Sequence, residues 1–109
     1  MFIAVYWWRV HPGKEEQFRK AWMRGTELIK QRLGGMGSRL HVNADGRFVA
    51  YAQWADRAAW QRAYDAHFDY GEPQTAKLFT DAIAETASDH LPVFMMDVTA
   101  DLLELVRPA

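Results

Sequence analysis

The chain contains no cysteine, which removes disulfides, thiolate-bound metals, iron–sulfur clusters and cysteine nucleophiles in one step. Histidine and carboxylates are the only strong metal ligands left. Neither sign of charge is in excess, since 13 Lys and Arg stand against 14 Asp and Glu for a formal net charge of -1. Without a basic field nothing draws a polyanion to the surface, so no nucleic-acid partner is expected. No apolar run approaches the roughly 18–20 residues that span a bilayer, and the apolar start Met1 to Trp8 leads into a charged segment rather than a cleavage site. The expectation is a cytoplasmic protein with no membrane contact. Internal repeats, low-complexity tracts and linker-like stretches are also lacking, so residues 1–109 read as one domain.

What the chain has in quantity is rings. Five Trp, four Tyr and six Phe make it 14% aromatic. Such rings each bury about 150–250 Å² and concentrate in cores and where flat ligands or partner subunits bind.

Phe2 to Val10 is a β-branched and aromatic run ended by His11-Pro12-Gly13, and it reads as a first strand. Pro12, with Glu15 and Glu16 behind it, opens a helix whose apolar positions are Phe18, Ala21, Trp22, Leu28, Ile29 and Leu33, with Gly25 diluting the stripe. Gly34-Gly35 ends it. Met36 to Val42 and Arg47 to Trp54 are extended runs separated by Asn43-Ala44-Asp45-Gly46, a tetrad that tolerates left-handed backbone angles, so the pair predicts a hairpin. Asp56 is placed to cap a second helix carrying Trp60, Ala63, Tyr64, His67 and Phe68 on its apolar face. Gly71-Glu72-Pro73 breaks that helix, and a third is expected from about Gln74 to Ala87. Of the two extended runs that follow, Leu91 to Val98 and Asp101 to Val106, the second is expected to be the fourth sheet strand. The order β-α-β-β-α-α-β closes most simply into an α+β, ferredoxin-like fold: an antiparallel four-stranded sheet with its helices on one face.

The strands carry a further implication. Ile3, Val5 and Trp7 alternate with Phe2, Ala4, Tyr6 and Trp8, and Val49 and Tyr51 alternate with Phe48, Ala50, Ala52 and Trp54, so both faces are apolar. Helices cover one face only. The expected cover for the other is a second copy of the chain, giving a homodimer through the sheet face.

The segments Val10-His11-Pro12-Gly13, Lys14-Glu15-Glu16-Gln17-Phe18 with Trp22, Gly34-Gly35-Met36-Gly37, and Tyr51-Ala52-Gln53-Trp54 leading into Asp56-Arg57-Ala58-Ala59-Trp60 together resemble the antibiotic biosynthesis monooxygenase family. The resemblance covers roughly Met1 to Phe68. It implies a dimeric α+β barrel, and its known activities include cofactor-free oxygenation of phenolic or anthrone-like substrates and haem degradation. The haem-degrading branch implies an Asn where Tyr6 stands and a haem-ligating His later than His67, so that activity is disfavoured.

Cofactor-free oxygenation of a small aromatic substrate asks for an apolar slot, a base and a donor for the anion. Tyr6, Trp8, Trp54, Trp60 and Tyr64 are the candidates for the slot, with core and dimer packing as the alternative reading. His67 is the candidate base, and Arg39 with His41, on one face of the second strand, is a second candidate pair or a solvated one. His11 reads as turn and His90 as loop. Asp65, His67 and Asp69 do not converge on a helix, so no metal and no cofactor is expected. The competing function is a non-catalytic dimeric barrel that binds a small ligand.

Overall fold

The computed structural model of the chain describes residues 1–66, 71–87 and 90–104. Among them the elements are β1 (Phe2–Val10), α1 (Glu15–Arg32), β2 (Ser38–Val42), β3 (Phe48–Trp54), α2 (Arg57–Asp65), α3 (Pro73–Ala82), β4 (Ile83–Thr86) and β5 (Phe94–Asp97). His67, Phe68, Leu105 and Val106, used in the sequence reading, lie outside the described residues. No helix among the described residues is long and apolar enough to cross a membrane.

The sheet is antiparallel, and β1 is its centre. Along one edge β1 pairs with β3 from Phe2↔Trp54 to Trp8↔Phe48, and β3 pairs in turn with β2. The hairpin between them turns at Gly46, whose φ of 85° suits a residue without Cβ, and Arg47 donates its backbone N–H to Asn43 Oδ1 and Asp45 Oδ1. Along the other edge of β1 lie both β5, opposite Phe2 to Val5, and β4, opposite Trp8 to Val10. These two pieces occupy one lane, so the sheet has five strands in four lanes instead of the expected four strands.

Two expectations are corrected in this lane. The third helix stops at Ala82, not Ala87, and Ile83 turns extended with φ -86° and ψ 123°. Leu78, Phe79, Ala82, Ile83 and Thr86 do keep helical spacing, but the free edge of β1 offers Ile83–Thr86 a ladder, and Thr86 Oγ1 adds a hydrogen bond to the Trp7 carbonyl at 3.0 Å. The fourth lane is likewise not Asp101 to Val106. Residues 101–104 form no strand, because β4 and β5 already fill that edge of β1.

All three helices pack on one face of the sheet. In α1 the buried positions are Phe18, Ala21, Gly25 and Leu28, spaced three and four apart, so Gly25 lies within the stripe and Trp22 sits half-buried at its margin. Its first turn holds a Glu16–Arg19 ion pair at 2.6 Å in place of the i,i+4 pairs the spacing suggests. Asp56 caps α2 by accepting the Ala59 N–H at 2.8 Å. Gln17 Nε2 donates to the Leu78 carbonyl at 2.9 Å and ties α1 to α3.

Candidate ligand-binding cavity

Opposite residues of an antiparallel pair share a face, so the register of β1 and β3 sets the size of every rung beneath the helices. Phe2 with Trp54 makes a large rung at one end and Trp8 with Phe48 a large rung at the other. Between them lie Ala4 with Ala52 and Tyr6 with Ala50. Two packed clusters follow from this, one of Phe2, Trp54, Ala59 and Trp60, the other of Trp8, Phe18, Phe48 and Ala82. Tyr6 touches both. Ala4 belongs to the first cluster and Ala50 to the second, and beside them lies a cavity of about 770 Å³.

Ala50 and Ala52 form its floor, and Tyr6, Trp8, Trp54, Trp60 and Tyr64 all stand in its walls with Trp22 and Phe79. The rings brace one another. Tyr6 stacks on Trp8 with centroids 6.0 Å apart, Trp60 stacks on Tyr64 at 5.4 Å, and Trp8 meets Phe79 edge-on at 5.6 Å. Polar groups reach the cavity from Thr26 and Lys30 of α1, Ser38 and Gln53 of the hairpin strands, Thr80 of α3, and His90. No Asp or Glu lines it among the described residues.

The Tyr6 hydroxyl oxygen accepts the Trp60 Nε1–H at 2.9 Å. Burial pushes the Tyr6 phenol above its ordinary pKa of 10.0, an effect that Trp60's hydrogen bond partly opposes and the nearby Tyr64 adds to. It is therefore a neutral donor across the physiological range. Trp54, only 6% exposed, has an Nε1–H with no partner among the described residues. A buried donor without an acceptor costs about 1–3 kcal/mol.

The remaining sequence candidates fall elsewhere. His67 is outside the described residues. Arg39 and His41 lie opposite Tyr51 and Val49, on the sheet face away from the helices, and His41 Nδ1 is 3.0 Å from the Val49 carbonyl. They border a groove along β2 with Arg19 and Met23 of α1, and neither is among the residues that line the cavity of the five rings. In their place the fold brings His90 to the cavity, on the segment between β4 and β5 and with a φ of 56°. A positive φ is uncommon for a side chain with Cβ, though less so for His than for most. Periodicity gives no hint of this, because a loop residue belongs to no face. No group of three or more His, Asp or Glu converges as a metal site among the described residues.

On the opposite face, Ile3, Val5, Trp7, Val49 and Tyr51 are joined by Phe94 and Met96 of β5, which are opposite Val5 and Ile3. Arg47 lies over the Trp7 ring at 5.0 Å, and Arg9 joins Asp45 to Glu85 along one end of this face.

A family model described as antibiotic biosynthesis monooxygenase matches residues 1–68. No curated protein matches the chain in sequence. Among solved structures, SnoaB, a cofactor-independent oxygenase from Streptomyces nogalater, is similar with a TM-score of 0.65 and 19% identity, over 94% of this chain and 97% of that one. A protein of Nitrosomonas europaea assigned to antibiotic biosynthesis monooxygenases has a TM-score of 0.59 and 22% identity over 77% and 80% of the two chains. Rv0793 from Mycobacterium tuberculosis has a TM-score of 0.61 and 13% identity over 94% and 98%.

Proposed function

The chain belongs to the antibiotic biosynthesis monooxygenase family, and from that premise we propose that it is a cofactor-independent monooxygenase of small, electron-rich aromatic compounds of the phenol or quinol type. The observation that carries this reading is the cavity: seven rings line a space of about 770 Å³, together with the small Ala50 and Ala52. The likeness in fold to SnoaB, itself a cofactor-independent oxygenase, supports the same reading.

The chemistry asks little of the protein. A planar phenol stacks on the rings and loses its proton, and the anion passes one electron to oxygen. The two radicals join at a ring carbon as a peroxide, and loss of water leaves a carbonyl. One oxygen atom enters the substrate while the other departs as water with two substrate hydrogens, so the electrons balance without an external reductant. The site's work is to bind, to accept the proton and to steady the anion in dry surroundings. His90 at the cavity wall is one proposed proton acceptor, and His67, the acceptor read from sequence, is the other. A second copy of the chain is the proposed cover for the apolar outer face, with Arg39 and His41 then near that interface instead of the cavity.

Oxygen uptake with planar phenols and hydroquinones, without added flavin or metal, tests the proposal. The expected result is one O₂ consumed per substrate, with one atom of ¹⁸O₂ in the product. His67→Ala and His90→Gln identify the base, since loss of a general base lowers turnover by about 10²-fold or more. No uptake across electron-rich phenols that do bind would remove the catalytic reading and leave a ligand-binding barrel.

A further inference from the structure

The polar lining of the cavity is uneven in kind. Tyr6 receives a hydrogen bond from Trp60 Nε1 at 2.9 Å, which occupies its oxygen, while its own O–H has no acceptor among the described residues. Lys30 is also among the lining residues, and no Asp or Glu is among those described. Donors are in surplus and strong acceptors are missing. A ligand oxygen with negative charge supplies what this lining lacks, because a charge-assisted hydrogen bond in a low-dielectric site is stronger than a neutral one.

Resting on the reading of this cavity as the ligand site, we propose that the Tyr6 hydroxyl, oriented by the Trp60 N–H, is the donor that holds the ligand's oxygen as an anion, so that the cavity selects hydroxyaromatics in their phenolate or enolate form. The geometry has a direct logic. Donation by Trp60 to the Tyr6 oxygen polarises the phenol and turns its hydrogen away from the indole, leaving it for a ligand. Tyr6 stands on the central strand and packs against both clusters, so the donor is held in place from two sides. The other titratable groups lining the cavity from the described elements are Lys30 of α1, Tyr64 of α2 and His90 beyond β4, while α3 presents none.

4-Nitrophenol, whose anion and neutral form absorb at different wavelengths, reads this directly, with 4-nitrotoluene as a neutral ligand of nearly the same shape. Tyr6→Phe keeps the ring and removes one oxygen. It is expected to weaken binding of the anion by about 10–100-fold, the scale of a hydrogen bond to a charged group, and to leave 4-nitrotoluene binding within about twofold. Trp60→Phe leaves Tyr6 in place and removes the orienting N–H, and should reduce the same anion-to-neutral ratio by a smaller factor. An unchanged ratio in Tyr6→Phe overturns the assignment, as does an equal loss for both probes, which is the mark of a structural role. An anion preference that survives Tyr6→Phe and disappears in Lys30→Gln overturns it in favour of the ammonium. Failure of both probes to bind the native protein overturns the cavity reading together with the donor. A Tyr6-dependent anion preference without oxygen uptake removes the oxygenase reading alone and leaves the donor in place.

Discussion

On the helix side of the sheet large rings stand at the two ends of the β1–β3 ladder and alanines at its middle, whereas on the other side the rungs are Ile3 with Gln53, Val5 with Tyr51 and Trp7 with Val49, with no small residue among them. Both faces are rich in apolar surface, and they differ in how side-chain size is ordered. On the helix side the small Ala50 and Ala52 stand between the end rungs Phe2–Trp54 and Trp8–Phe48, and both line the cavity. An even row of medium and large side chains instead makes a continuous surface, suited to lying against another such surface. In the proposed reading one face takes a small ligand and the other a second copy of the chain.

The largest expected effect tests the support of the enclosed face. Phe18 is fully buried and packs on Trp8, Phe48 and Phe79, so Phe18→Ala should lower stability by about 3–5 kcal/mol in denaturant titrations. Trp22→Ala should cost less although its ring is larger, because Trp22 sits at the margin of the buried stripe. The reverse order would mean that α1 is rotated about its axis.

The open face is tested next. Val49→Asp puts a charge at the centre of the outer surface, and in a two-fold dimer it does so twice, at a cost of several kcal/mol to association. Light scattering should show the native chain at twice 12.6 kDa and the variant at 12.6 kDa. The ligand affinity of the cavity should not change. A native mass of 12.6 kDa would leave the outer face without its proposed cover.

Ala52→Leu erases the size pattern itself. Overpacking a filled core costs about 1–3 kcal/mol, but here the added carbons enter open space, so stability should change by less than about 1 kcal/mol while 4-nitrotoluene binding is lost. A large loss of stability would show that the alanine floor is already in contact with the helices.

The smallest effect concerns alkaline pH. Because the Tyr6 phenol has its pKa raised by burial, the unfolded chain releases this proton first as pH rises past about 10. The contribution is complete below that value and declines above it as pH climbs toward the raised folded value, so native stability should fall there. Tyr6→Phe should flatten that part of the profile. An identical slope in the two proteins would mean that the hydroxyl is not buried.

Much of the fold is legible in the residues. The β1 run, the Asp56 cap and the Asn43 to Gly46 turn are local events, each dictated by side chains within a few positions of where it acts, whereas α1 starts at Glu15 and leaves Pro12, expected to open it, in the turn before. The reading failed where two local patterns compete. Ile83 to Thr86 continue the helical spacing of α3 and are also β-prone, and the unpaired edge of β1, far away in sequence, settled the contest. The candidate site divides the same way. Tyr6, Trp8, Trp54, Trp60 and Tyr64 stand in one cavity because strand alternation and helix period place them on facing surfaces. Arg39 and His41 share a face as alternation requires, yet which face that is depends on register with β3. His90 carried no pattern at all.

The order of the residues by itself determined the class of fold, the two apolar faces of the sheet and the set of rings available to a ligand, since each follows from spacing, capping and turn chemistry along a short length of chain, and its motifs carry the resemblance to the family. The tertiary structure alone decided that β4 and β5 share one lane, that Ala50 and Ala52 of β3 line the cavity, that the Tyr6 hydroxyl faces the Trp60 N–H and that His90 joins the cavity. Those are contacts between residues tens of positions apart. Their geometry depends on strand register and helix packing, which are set by the whole hydrophobic core and by the need to pair every buried backbone group.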